Sequence, residues 1–469
     1  MAAASHRSAT EGNLASGRMS AQKASAAASR GLGASRCASR LASVCSELLV
    51  TIETGSHGAT VELNYRLASG HQLTSISAYK DYHFNAVNDD GTPFDVYRNA
   101  GGFWNDYRQV SQELRISSKT GGFVDYQGGL YLINVKNSAE YQRSWGNDAG
   151  AWFASNTQYA LLDKNAEGRY LMQNSLDRVA MAYNSPTGLQ SITNKSAAIF
   201  GQANWHLTEP LTLTTGLRLT REDRSNTGSS FIRDNGNAVE LNSAALGGFV
   251  ANGAGVLDPT KNTAAQLAIA NKVASKYFGK ANYSDLTAEQ KQQVAYARAI
   301  RSSQMGVIFD QTQAETYQAV QPAFVISPSY KINPDQTTYF SWQYGEKAGI
   351  SQLTNGVSNL VKAEKTNSFE LGLKSALLEK TLILNTALYL TNITNYQQSV
   401  RVLDVYTTNQ NNDGTYYYTS ATGNVPKVQA KGVEVDGVYA GIRNLTLRFA
   451  GAYNDARYKD LDRKSTRLN

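Results

Sequence analysis

The chain has 469 residues, among them 27 tyrosines, 38 glycines and only 8 prolines. Charged residues make up 18% of it, and no uninterrupted apolar run approaches the roughly 18 residues that a membrane-spanning helix needs. The low charge and the many aromatic residues exclude a disordered chain. The short apolar runs exclude a polytopic helical membrane protein, and the composition is typical of an extensive β structure.

The formal net charge of +7 is concentrated at the two ends of the sequence. Residues 1–50 carry +4 and residues 457–469 carry +3, so the region between them is neutral. A nucleic-acid-binding surface needs basic residues clustered on one face of a domain. We therefore predict no nucleic-acid partner.

Residue types that catalyse reactions or bind metals are scarce. Both cysteines, Cys37 and Cys45, lie in the first 50 residues, and the sequence has no HExxH motif, no CxxC motif and no phosphate-binding glycine loop. Two Asn/Asp/Gly stretches, 88–91 and 409–414, are interpreted as ordinary loops, because a calcium loop starting at 409 would have Ser420 where glutamate is needed. We predict no enzyme activity, no cofactor and no metal site, and the sequence identifies no ligand-binding residue.

The N-terminal segment differs in character from the rest of the chain. Its first 50 residues contain 13 alanines and 10 serines, and they lack the apolar segment of a bacterial signal peptide. The Arg- and Ser-rich composition superficially matches an organelle transit peptide. We interpret residues 1–59 as disordered or foreign to the protein. Residues 459–469 are interpreted as a foreign C-terminal tail, because they break the pattern that precedes them.

Between these ends, apolar and polar residues alternate in paired segments joined by short turns, which predicts β-hairpins. In the clearest pair, the odd positions of 197–207 and of 211–219 are mostly apolar and the even positions mostly polar. In chain order, the six predicted hairpins have their turns at 68–71, 119–122, 208–211, 333–336, 378–381 and 441–444. Six hairpins predict about twelve strands.

The links between these hairpins are long and polar, at 85–106, 138–193, 225–315, 345–365 and 398–427. Short turns at one end and long loops at the other are typical of an outer-membrane barrel, and strands of about 9–11 residues suit a tilted crossing of the bilayer. We favour a transmembrane β-barrel over a soluble sandwich or a β-helix. Within the longest loop, 284–298 is predicted to be helical, with Thr287 and Gln290 at capping-box spacing.

The polar positions of the predicted strands contain many charged residues, which we expect to line the lumen and to pair with opposite charges on neighbouring strands. These residues are Glu62, Arg66, Glu113, Arg115, Arg218, Glu222, Glu370, Lys374, Glu434, Asp436 and Arg448. Aromatic residues near the strand ends are expected at the membrane interfaces, and the alternative for some of them is contact with substrate in the loops. They are Tyr82, Phe84, Trp205, Trp342, Tyr344, Tyr453 and Tyr458.

Several strand sequences resemble the barrel of TonB-dependent outer-membrane receptors. The resemblance is carried by 365–375, 382–389, 112–116, 210–218 and 431–435, and it extends over residues 60–458. It implies an antiparallel barrel in the outer membrane of a Gram-negative bacterium, in contact with lipid, the TonB complex and a small ligand such as an iron siderophore. The family's barrel has about 22 strands and a plugged lumen, whereas about twelve strands and no counterpart of the plug or the TonB-contact segment are found in this sequence.

We therefore predict residues 60–458 to be part of a receptor barrel for TonB-coupled uptake of a scarce ligand, and we expect this length of chain to be inactive alone. The alternatives are a passive porin and a secreted β-rich adhesin.

Overall fold

The computed structural model describes residues 51–88, 91–183, 190–252, 254–411 and 416–459. In chain order, its strands are β1 (Thr51–Arg66), β2 (Gln72–Val87), β3 (Tyr97–Ser117), β4 (Val124–Trp145), β5 (Val179–Tyr183), β6 (Gln190–His206), β7 (Leu211–Asn235), β8 (Phe309–Gln313), β9 (Tyr317–Asn333), β10 (Gln336–Lys347), β11 (Ile350–Thr354), β12 (Val357–Val361), β13 (Glu364–Leu377), β14 (Leu382–Leu403), β15 (Tyr418–Ile442) and β16 (Leu445–Lys459). Its helices are α1 (Ala149–Phe153), α2 (Asn156–Leu162), α3 (Ala166–Asn174), α4 (Ala264–Phe278), α5 (Ala288–Met305) and α6 (Val405–Asn411). Short 3-10 turns occur at Val239–Leu241, Ala244–Leu246, Pro259–Lys261 and Tyr283–Asp285.

Fourteen strands form one antiparallel sheet, and twelve of them are the long strands of the six predicted hairpins. The hairpins are β1/β2, β3/β4, β6/β7, β9/β10, β13/β14 and β15/β16. The short strands β5 and β8 pair with the far ends of β4 and β7. The strand order runs from β1 to β16, and among the described residues no pairing joins these two strands. The sheet is the predicted incomplete antiparallel barrel.

The register separates an apolar face from a polar face. Leu114, Leu130, Ile199 and Leu219 lie opposite one another on four consecutive strands, and all four side chains are exposed. Because successive side chains of a strand point to opposite faces, similar rows of apolar side chains recur at every second position along the sheet. An exposed apolar surface of this extent needs a partner other than water, so this face is the lipid-facing side of the wall.

The strands are longer than the apolar pattern predicts. Strand β7 has 25 residues and ends at Asn235, well inside the region expected to be a loop from 225 onward. Strand β1 begins at Thr51 rather than near residue 60, and its first residues pair with the end of β2. Backbone hydrogen bonds continue the ladder beyond the bilayer, where neither face has to be apolar and alternation therefore carries no signal.

The main hydrophobic core lies outside the sheet, in the loops at one end of it. Residues 146–178 and 236–308 pack α1–α5 together around fully buried side chains, and we call these two segments the loop domain. Examples of its core residues are Leu171, Phe249 and Val294. No described helix combines the length and the apolarity needed to cross a membrane.

Candidate functional site

The charged residues predicted for the lumen all lie on the polar face of the sheet. We expected these charges to pair between neighbouring strands. The two ion pairs that involve them instead join residues two apart on the same strand. Arg115 lies 3.3 Å from Glu113, and Arg224 lies 3.3 Å from Glu222. Side chains two apart share a face and reach each other along the strand, so Glu113 and Glu222 are each neutralised by a cation of their own strand.

Across strands, these charges contact aromatic rings and neutral polar groups. The Arg218 guanidinium lies 5.4 Å from the centre of the Tyr131 ring, and the Lys374 ammonium lies 5.5 Å from that of Tyr339. The Tyr339 hydroxyl donates to Glu370 at 2.5 Å. Rings and hydroxyls can hold a cation or an anion in place without a full countercharge. The polar face therefore carries alternating charged and aromatic groups, which suits a polar ligand in transit.

The aromatic residues predicted at the interfaces divide between the two faces. Trp205, Trp342 and Tyr344 share the apolar face, where Trp342 packs 4.9 Å from Phe324. The interface interpretation does not hold for three others, which the register places on the polar face: Tyr82, Phe84 and Tyr458. The reason is that position near a strand end does not determine which face a side chain occupies.

The β11–β12 hairpin folds back over the polar face instead of extending the sheet. On one side, Arg224 Nη1 donates to the Gly349 carbonyl at 3.3 Å, and Asn226 Nδ2 donates to the Ser351 carbonyl at 3.2 Å. On the other side, Gln397 Nε2 donates to the carbonyls of Ala348 at 2.9 Å and Lys362 at 3.0 Å. The hairpin is thereby bound to β7 and to β14, which are separated by three strands in the sheet.

A buried arginine holds the two segments of the loop domain together. Arg301, on α5, is 1% exposed, and its guanidinium donates to Asn242 Oδ1 at 2.7 Å, the Ser175 carbonyl at 3.1 Å and the Asn235 carbonyl at 2.9 Å. Burial lowers the pKa of Arg301 to about 10, so the side chain remains charged at neutral pH. Nearby, buried Glu240 accepts from Lys276 Nζ at 2.6 Å. These groups have a structural role, because their hydrogen-bonding capacity is used within the domain.

The loop domain meets the β14–β15 loop at a cavity of about 590 Å³. Met305, Phe309 and Tyr406, the last from α6, are among the residues that line it. The Tyr406 hydroxyl donates to the Ile308 carbonyl at 3.1 Å, which fixes α6 against the loop domain. The size of the cavity and its mixed polar and apolar lining fit a small molecule. This cavity and the polar face of the sheet form the candidate functional site.

Metal binding by protein side chains has no support in the described part of the chain. Its residues contain no group of three or more His, Cys, Asp or Glu side chains placed to hold an ion. Of the two Asn/Asp/Gly stretches, residues 89–90 and 412–414 lie outside the described residues.

Comparison with known proteins gives the family. A model of the TonB-dependent-receptor-like β-barrel matches residues 48–469. The chain belongs to this family. Its members are receptors and transporters in the outer membrane of Gram-negative bacteria, and the family's established role is uptake rather than catalysis. No curated protein matches the chain significantly by sequence.

One solved structure supports the fold, and two further receptors are reported as similar. The ferric yersiniabactin uptake receptor FyuA from Yersinia pestis is 14% identical, with a TM-score of 0.53 over 88% of this chain and 44% of that receptor. The alcaligin receptor FauA from Bordetella pertussis is 13% identical, with a TM-score of 0.45 over 87% of this chain and 47% of that one. The siderophore receptor PiuA from Acinetobacter baumannii is 12% identical, with a TM-score of 0.44 over 87% and 48%. The chain thus spans less than half the length of these receptors.

Sequence reasoning missed most of the candidate site. It identified the polar wall and helix α5, whose predicted capping box is present, with Thr287 and Gln290 exchanging hydrogen bonds of 2.9 and 3.2 Å. The same signal was available for α4 in Thr263 and Gln266. Neither the β11–β12 hairpin nor the cavity beside Tyr406 has a local signal, since both depend on contacts between distant residues.

Proposed function

We propose that this chain is the wall and loop region of an outer-membrane receptor that imports a scarce ligand, with TonB supplying the energy. Family membership carries the proposal, because it covers nearly all of the described sheet. The compared structures include proteins named as receptors for ferric yersiniabactin and for alcaligin. An iron chelate of the siderophore type is therefore the ligand class we propose, and the outer membrane of a Gram-negative bacterium is the proposed location.

The arrangement at the long-loop end supports uptake of a bound ligand over free diffusion. A passive channel needs an open lumen, whereas the β11–β12 hairpin crosses the polar face from Arg224 to Gln397. The adjacent cavity of about 590 Å³ offers space for a molecule held among polar and apolar groups. A ligand captured there would reach a wall of alternating charges and aromatic rings.

Uptake by cells tests the proposal. This chain would be expressed as the wall and loop region of a complete receptor, in a Gram-negative host that lacks its own iron-chelate receptors. Accumulation of radioactive iron would be measured for hydroxamate, catecholate and phenolate chelates, with the chain alone, which we expect to be inactive, as the control. We expect one chelate class to accumulate and an uncoupler of the proton gradient to abolish the accumulation. Uptake that ignores the uncoupler would indicate a porin. Binding at the cell surface without uptake would indicate an adhesin.

A further inference from the structure

The tip of the β11–β12 hairpin is connected to the wall of the cavity beside Tyr406 through one buried carboxylate. Asn355, in the turn of the hairpin, donates from Nδ2 to Asp404 Oδ2 at 2.7 Å. Asp404 also accepts from the Thr407 amide at 3.0 Å and from the Thr407 hydroxyl at 2.7 Å, and Thr407 lines the cavity. Asp404 is 7% exposed, and these three donors are uncharged. A buried carboxylate depends on each of its hydrogen bonds, so the loss of one donor alters how it holds the others.

A second contact joins the same two parts of the molecule. Phe309 lines the cavity, and Gly356 at the hairpin tip lies directly against the Phe309 ring. Gly356 has a φ of +77°, and a Cβ added to it would lie 2.7 Å from Phe309 Cγ. Glycine alone combines this left-handed conformation with so close an approach. We call Phe309, Asp404 and Thr407 the shared wall, because these three residues connect the hairpin tip to the cavity.

The base of the hairpin is held separately from its tip. The hydrogen bonds from β7 and β14 end on carbonyls within 348–351 and on that of Lys362, and none of these residues lines the cavity. Further along the hairpin, Gln352 Nε2 donates to the Thr422 carbonyl at 2.5 Å, and the turn then reaches the shared wall. The tip is therefore the part of the hairpin that an occupant of the cavity affects, while the base remains fixed to the barrel.

We propose that Asp404 is a positioning residue that couples the cavity to the hairpin, so that an occupant of the cavity and the hairpin tip on the shared wall stabilise each other. The proposal rests on the proposed function, in which the cavity takes the ligand. An occupant that packs against the shared wall orders it, and the tip then loses less conformational entropy when it binds there. Linkage makes the effect reciprocal, so the bound tip raises the affinity of the cavity for its occupant by the same factor.

This coupling separates capture of the ligand from its passage along the barrel. The hairpin crosses the polar face from Arg224 to Gln397, so a ligand that holds the tip in place also keeps that face covered. Passage then requires the tip to be lifted against the stabilisation that the ligand itself provides. Such a step fits uptake that consumes energy and does not fit free diffusion.

A covalently tethered probe tests the coupling without knowledge of the ligand. The complete receptor, with this chain as its wall and loop region, would carry Cys37→Ser, Cys45→Ser and Ser302→Cys, since Ser302 lines the cavity. Benzyl methanethiosulfonate would attach a benzylthio group to the new thiol. Hydrogen exchange of the amides of 352–357, followed by mass spectrometry, should slow by at least about fivefold. The same group on Lys272→Cys, on the exposed surface of α4, is the control and should change this exchange by less than about twofold.

Two hairpin variants distinguish coupling from a purely structural contact. Asn355→Ala removes the hydrogen bond to Asp404, and Gly356→Ala pushes the tip away from Phe309. Each variant should abolish the slowing that the benzylthio group causes. Asn359→Ala is the control and should retain it, because Asn359 lies in the same hairpin and its side chain makes no hydrogen bond to another described residue. A purely structural contact would change the exchange of the unlabelled receptor but not its response to the group.

The reciprocal measurement uses the chelate that accumulates in the uptake test. It should bind the Asn355→Ala receptor at least about fivefold more weakly, although Asn355 is not among the residues that line the cavity. Unchanged chelate affinity, unchanged or faster exchange after labelling at position 302, or slowing that survives both Asn355→Ala and Gly356→Ala would each overturn the proposal. The tethered probe needs neither chelate nor transport, so failed iron uptake with an intact response would reject only the proposed function. Intact uptake without the response would reject only the coupling.

Discussion

Leu217 and Thr214 lie three positions apart on strand β7 and face opposite sides of the wall. Leu217 is 54% exposed on the apolar face, whereas the Thr214 hydroxyl donates to Asn204 Oδ1 at 2.8 Å on the polar face. Leu217→Arg should reduce the stability of the protein folded in lipid vesicles by about 2–4 kcal/mol, because a cation is then placed in contact with hydrocarbon. Thr214→Arg should lose only about 1 kcal/mol, the value of one hydrogen bond. Urea titration in vesicles measures both, and equal losses would mean that the faces are misassigned.

Arg301 should control the stability of the loop domain. Arg301→Met leaves the Asn242 side chain and two carbonyls without a donor in a buried site, which should destabilise the domain by about 3 kcal/mol. Arg169→Ala is the control, because Arg169 is 55% exposed and lies 3.7 Å from Asp163, and a surface ion pair contributes less than about 1 kcal/mol. Helical circular dichroism during denaturation and protease cleavage within 236–308 report the difference. Similar behaviour of the two variants would contradict the structural role of Arg301.

At the scale of elements, side-chain hydrogen bonds to the wall contribute to holding the β11–β12 hairpin over the polar face. Asn226→Ala together with Gln397→Ala removes three of them. At about 1 kcal/mol each, their loss should speed hydrogen exchange of the hairpin amides, residues 350–361, by about tenfold or more, while the exchange of β9 and β10 stays unchanged. Gln343→Ala is the control, since Gln343 bonds to Ser341 within its own strand. Unchanged exchange in the hairpin would show that other contacts hold it.

The elements also show what a sequence can and cannot predict. Alternation in 197–207 and 211–219 predicted β6 and β7 because one face of each strand must be apolar against lipid. The same rule says nothing about residues 225–235, where both faces are wet or covered by loops and the strand nevertheless continues. The hairpin β11–β12 has strands of only five residues, and it is positioned by Asn226, which lies 125 residues from Ser351. Contacts between residues so far apart in the chain produce no periodic pattern in the sequence.

At the scale of the whole molecule, the wall and the loop domain are stabilised by different means. The sheet has an apolar exterior and a polar interior, so its side chains form few buried clusters and the backbone ladder holds it together. The loop domain instead has the buried apolar core of a water-soluble unit. Its two segments are joined through the barrel strands β5–β7, which is why the sequence revealed one helix, α5, but not the domain around it.

This division makes the sidedness of the molecule testable. The long loops, 138–193 and 225–315, should be at the cell surface, while the short turns at 208–211 and 333–336 should face the periplasm, because outer-membrane barrels place their long connections outside. The two natural cysteines would be changed to serine, and single cysteines introduced as Lys272→Cys in the exposed surface of α4 and as Glu209→Cys in the β6–β7 turn. A membrane-impermeant maleimide should label position 272 on intact cells and position 209 only after the outer membrane is permeabilised. Labelling of position 209 on intact cells, with position 272 protected, would reverse the orientation.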